Sequence, residues 1–136
     1  MAVPLSALAL LAPAAAAGAY SERSVGSAQQ IAWVRRAAQR FVTAELARDG
    51  SEACAVLIAS LRATVQGRSC EQRWKARLVK MLDERGVRSR LRSEQRAVSS
   101  ARVVVHGNLA SIELPAPLLH GANRFVWTEN CWMLER

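Results

Sequence analysis

The sequence is short of the residues that carry most enzyme chemistry. Only two residues are His and one is Tyr, and the aspartates are limited to Asp49 and Asp83. Cys131, His106 and His120 stand in no recognised ligand spacing and fall short of the four ligands of a structural zinc site, so no metal is expected. The GxGxxG and Walker phosphate loops, the HExxH helix, CxxC and the GxSxG elbow are all missing, and no cofactor is expected. No repeat recurs at a period of about 20–50 residues, which excludes a solenoid or propeller. Beyond the N-terminus there is no apolar run of roughly 18 residues, so no interior membrane-spanning helix is expected. Aromatic residues are only 5% of the chain, against 51% hydrophobic and 22% charged. That composition is globular, and 136 residues is the length of one domain.

Charge is absent from residues 1–19. An apolar run at 5–11 is broken by Pro13, and the small residues Ala17, Gly18 and Ala19 follow. Signal peptidase requires this order, because its cleft accepts only small side chains at the cleaved bond. No Lys or Arg precedes the run, and no Cys follows it to carry a lipid anchor. The expected organisation is a signal peptide at 1–19, a flexible lead-in at 20–27 and a domain at 28–136. Such a protein is secreted or associated with the cell envelope. The 117 residues from Tyr20 onward suffice for one modest core.

The net charge is +8, and of the 19 basic residues only Lys75 and Lys80 are lysines. Arginine in excess suits bidentate phosphate recognition. It is equally what a GC-rich genome encodes by default, as the Ala-rich leader suggests.

Helical spacing dominates the first part of the domain. Ser27 and Gln30 form a capping-box pattern, after which Ile31, Val34, Ala38, Phe41 and Val42 recur on one face. Arg35, Arg36, Gln39 and Arg40 take the other side, read as a solvated face. This helix is expected to reach about Arg48 and to stop at Asp49-Gly50. Ser51 is placed to cap a second helix with Cys54, Leu57, Ile58 and Leu61 on its stripe, ending at Gln66-Gly67. Ser69 and Gln72 form a second capping box, and Trp74, Leu78, Met81 and Leu82 line a third helix closed by Gly86.

Three cysteines in an exported chain allow one internal bridge and leave one thiol. Cys54 and Cys70 both lie on core-facing stripes. In a straight second helix Cys54 would sit about 16 Å from the far end. Bridged Cα atoms must lie within about 7 Å, so the bridge requires a break, expected at Ser60. The alternative is two buried thiols packed as small hydrophobes.

Residues 85–96 carry the densest positive charge, on Arg85, Arg88, Arg90, Arg92 and Arg96, with Val87 and Leu91 as apolar anchors. A short helix and an exposed loop both fit. Strand patterns follow at 101–105 and 109–114 around a turn at His106-Gly107-Asn108, then at 124–128 and 131–134 around Glu129-Asn130. Residues 115–122 read as a connecting loop. The expected fold is α+β, with three N-terminal helices packed on a curved antiparallel sheet of about four strands.

The pattern V-x-V-x-G-N-x-A-x-I-x-L at 103–114, followed by R-F-V-W-x-E-N-x-W-M-L at 124–134, resembles the strand end of the nuclear-transport-factor-2-like superfamily. Phe41-Val42 and Leu46-Ala-Arg-Asp-Gly ahead of Cys54 are similar to its exported actinobacterial members, which also pair cysteines across the second and third helical segments. The resemblance spans about 29–136. It implies a cone whose helices and sheet enclose a pocket, and Phe41, Trp74, Ile112 and Trp127 are its candidate ligand-lining residues. Trp74 and Trp127 also read as core at these spacings. It implies that Trp132 is a core residue with Cys131 facing outward, and that a homodimer forms through the open sheet face. The chain has no early hairpin between its helices, so a shorter sheet is expected.

Enzymes of that superfamily place an acidic or His base and acidic or Tyr donors inside the cone. A carboxyl in an apolar cavity holds its proton to higher pH and can shuttle it. Tyr20 lies outside the domain, Asp49 and Asp83 fall at helix ends, and Glu129 and His120 fall in or near turns. Glu113 and His106 remain as candidate bases, and no catalytic residue carries over from the superfamily. The leading reading is a non-catalytic exported domain that binds a small apolar ligand in the cone or a protein partner on its sheet. An isomerase or cyclase using Glu113 or His106 is the alternative. Anion or nucleic-acid binding through residues 85–96 is the third reading. No aromatic side chain interleaves there for base stacking, so nucleic acid is not an expected partner.

Overall fold

The computed structural model describes residues 24–114, 123–128 and 130–135. The expected leader, Tyr20, the loop bearing His120, and Glu129 lie outside the described residues.

Helix α1 spans Ala28–Leu46 and opens with the capping box expected there. The Gln30 amide donates to Ser27 Oγ at 3.1 Å, and the Ser27 amide donates to Gln30 Oε1 at 3.1 Å. Its buried stripe is Val34, Ala38, Phe41, Val42, Ala44 and Glu45. Arg48 then adopts a left-handed φ of 55°. The turn brings Asp49 to the head of α2, Gly50–Ala55, where its carboxylate accepts the Glu52 amide at 3.0 Å. Asp49 therefore caps this helix in place of Ser51.

The break in the second helical segment falls earlier than Ser60. Helix α2 ends at Ala55, and α3, Ala59–Arg62, begins after Ile58. Between them the backbone is committed to the sheet: the Leu134 amide donates to the Val56 carbonyl at 2.7 Å, and the Ile58 amide donates to the Leu134 carbonyl at 3.1 Å. Groups used in that pairing cannot also serve helical hydrogen bonds. Helix α4, Cys70–Leu82, carries the second capping box, Ser69 with Gln72. With the chain turned at 56–58, Cys54 and Cys70 form a disulfide at a Cα–Cα distance of 6.1 Å.

Helix α2 lies close against α4. A Cβ added to Gly50 would sit 2.9 Å from the Glu71 carbonyl oxygen and 3.3 Å from the Lys75 amide nitrogen. Both are helix backbone and cannot swing aside. Gly50→Ala is expected to destabilise the protein by about 1–3 kcal/mol, read as a lower denaturant midpoint. An unchanged midpoint would mean that the two helices separate without cost.

The arginine-rich stretch forms a helix, α5, Val87–Val98, with Leu91, Glu94 and Val98 buried and Arg88, Arg92 and Arg96 exposed. There are thus five helices among the described residues, because the second segment is split and α5 is added.

Strands β1, Arg102–His106, β2, Leu109–Glu113, β3, Arg124–Thr128, and β4, Cys131–Leu134, form one antiparallel sheet in sequence order. Gly107 takes a φ of 58° in the two-residue loop between β1 and β2, where a side chain would be strained. The pairs Val103–Ile112, Val105–Ala110, Ala110–Phe125 and Phe125–Leu134 place the buried residues on one face, against α1. His106, Leu109, Glu113 and Arg124 are exposed on the other. Val25, in the stretch read as a lead-in, receives the Val105 amide and donates to the Val103 carbonyl, both at 2.8 Å. Among the described residues no helix is long and apolar enough to cross a membrane.

Candidate functional site

Helix α1 has a second face, one residue off its buried stripe. Trp33, Arg36, Ala37 and Arg40 follow at helical spacing, so their side chains line up along the axis. On the sheet, Trp127 and Trp132 are direct cross-strand partners and share a face. The two sets meet. The Trp33 and Trp127 rings stack at 5.5 Å between centroids with planes 16° apart, and Trp127 meets Trp132 edge-on at 5.5 Å. Beside them opens a cleft of about 290 Å³, whose lining also includes Val56, Met133, Cys131 and Asn130.

The walls of this cleft differ in charge. Arg40 is engaged, since its Nε and one terminal nitrogen both donate to Glu52 Oε2, at 2.9 and 2.6 Å. Arg36 makes no hydrogen bond or ion pair with any described residue. No Asp or Glu is among the described residues that line the cleft. The buried Trp132 indole N–H has no hydrogen-bond partner among the described residues. An apolar body is offered aromatic walls, and an acceptor is offered an unused guanidinium.

Of the four ligand-lining candidates, only Trp127 borders this cleft. Phe41 and Ile112 are fully buried in the core. Trp74 and Phe41 pack edge to face at 5.5 Å, and Arg77 lies over the Trp74 ring at 5.3 Å. It borders a separate cavity with Leu57, Leu61 and Arg73. Trp33 and Trp132 are the cleft residues that complete the aromatic set. Trp33 has the most legible signal: a large aromatic one place off the apolar stripe, next to two arginines.

The candidate bases face away from the cleft. Glu113 is on the exposed sheet face, paired with Arg102 at 2.6 Å, and His106 is exposed at the end of β1. Cys131 is the free cysteine; its Sγ–H donates to the Thr128 carbonyl at 3.5 Å on the side of the sheet opposite Trp132. Among the described residues no three His, Cys, Asp or Glu side chains cluster as metal ligands.

The acids in the interior are two that sequence reasoning missed. Glu45 of α1 has no exposed surface, and Glu94 of α5 has almost none. Neither carboxylate has a hydrogen-bond partner among the described residues. Burial, reinforced by the Glu94 charge, pushes the Glu45 carboxyl up to about 8, against the opposing pull of Arg77 and Arg90. Burial also raises Glu94, opposed by Arg90, whose Nε lies 3.6 Å from its carboxylate. The signal was present in the spacing: Glu45 falls four and three residues after Phe41 and Val42, and Glu94 lies between Leu91 and Val98. Neither carboxylate borders any of the cavities described above.

No family model matches the chain, and no curated protein or solved structure matches it.

Proposed function

We propose that this is a small exported, non-catalytic domain that binds a small apolar ligand in the cleft between α1 and the β3–β4 hairpin. The observation that carries the reading is the meeting of Trp33, Trp127 and Trp132 beside one cavity. Small-molecule sites are concave, mostly apolar and furnished with a few polar groups, and their volumes start at roughly 300 Å³. The cleft has that character at the small end of the range. The Cys54–Cys70 disulfide supports an oxidising compartment, and therefore export. The placement of Glu113 and His106 on the exposed face supports binding over proton-transfer chemistry.

The test uses the neutral fluorophore N-phenyl-1-naphthylamine. It is expected to bind with energy transfer from tryptophan, and Trp33→Ala is expected to weaken it about tenfold, the loss of one stacking wall. Trp33 is 36% exposed, so its truncation leaves the core intact. Unchanged affinity in Trp33→Ala would remove the cleft as the binding site.

A further inference from the structure

Resting on that reading, we propose that the ligand of the tryptophan cleft is an anion: a flat apolar body lying against Trp33 and Trp127, with a carboxylate or similar group received by Arg36. Two observations converge. Among the described residues Arg36 makes no ion pair, while its neighbour one helical turn on, Arg40, is already held by Glu52. The cleft has no described acidic side chain in its lining, and Glu52, which shares a neighbouring groove with Arg36, is engaged by Arg40.

A neutral hydrocarbon would use the rings and leave Arg36 unanswered. A cation would meet an arginine. An anion with an apolar body answers the rings and the charge together. A charge-assisted hydrogen bond in a partly desolvated site also outweighs a neutral one. Phosphorylated sugars fit poorly, because their polar bodies gain nothing from three indole rings.

The experiment compares two probes with the same aromatic body, 8-anilinonaphthalene-1-sulfonate and the neutral N-phenyl-1-naphthylamine, titrated into the oxidised full chain. The sulfonate is expected to bind about tenfold more tightly, and Arg36→Gln is expected to bring it to the affinity of the neutral probe. Arg88→Gln, an exposed arginine on α5 away from the cleft, is expected to change neither. Equal affinity for the two probes overturns the anion assignment, as does an Arg36→Gln variant that retains the sulfonate in full. Equal losses in Arg36→Gln and Arg88→Gln overturn it too, by showing general surface pairing. Each of these outcomes leaves the apolar site standing. The site itself falls only if Trp33→Ala leaves the neutral probe unaffected.

Discussion

Reduction of the Cys54–Cys70 bridge is expected to lower the free energy of unfolding by about 3 kcal/mol, the value for closing a loop of this length in the unfolded chain. The bridged residues are 16 apart, and their chain segment contains all of α3 and the turn before α4. None of the residues of α3 is buried, so beyond the buried Val56 and Leu57 little apolar packing holds the rest of that segment independently of the disulfide. A small domain has little surplus stability from which to replace such a constraint. The measurement is a denaturant titration with and without reductant, repeated on a Cys54→Ala/Cys70→Ala double variant. The wild type should move to the midpoint of the double variant, which should itself ignore reductant. Cys131→Ser should respond to reductant as the wild type does. A midpoint indifferent to reductant would mean that packing of α2 on α4 alone fixes this region.

The second large effect is a dependence on pH set by Glu45. Its carboxyl is held up at about 8, against an ordinary value of 4.5. The folded state therefore binds a proton that the unfolded chain has released throughout the interval between those values. Below about pH 4.5 the group is protonated in both states and costs the fold nothing. As pH rises toward 8 the unfolded chain gains increasingly by ionising, and stability falls. At about 1.4 kcal/mol per pKa unit the total loss amounts to a few kcal/mol. Glu94 is shifted in the same direction and adds to the slope, while Arg77 and Arg90 moderate it. The protein is thus expected to melt at a higher temperature at pH 5 than at pH 8.5. Glu45→Gln keeps the shape and removes the titration, so it should flatten the profile and exceed the wild type at pH 8.5. A variant profile parallel to that of the wild type would locate the dependence elsewhere.

Local signals were the legible ones. Both capping boxes, at Ser27 and Ser69, depend on residues three apart and were read from the sequence directly. The β3 and β4 strands were read with their observed limits, because β-branched and aromatic runs stood on either side of a turn. Cys54 and Cys70 could be paired because each sits on a core stripe. What failed depended on distant partners. Leu57 and Ile58 carry a helical pattern, yet Leu134, far along the chain, takes their backbone hydrogen bonds. In α5 the arginines masked a stripe whose central member is itself a charged residue, Glu94. The cleft was half legible: Trp127 was marked, but Phe41 and Ile112 were drawn into the core by their size. Trp33 stood one place off the apolar stripe, but its meeting with Trp127 depends on β3 lying beside α1.

The single-residue bridges at Val25 and Leu57 bear on what the molecule does in a crowded medium. An exposed edge strand is a template for another chain, and proteins with open edges risk open-ended assembly. Here the outward groups of β1 at Val103 and Val105 are occupied by Val25, and those of β4 at Leu134 by residues 56–58. A foreign strand would first have to evict a segment of the same chain from either border. At those positions the sheet is continued by the chain itself and not left open to a second copy.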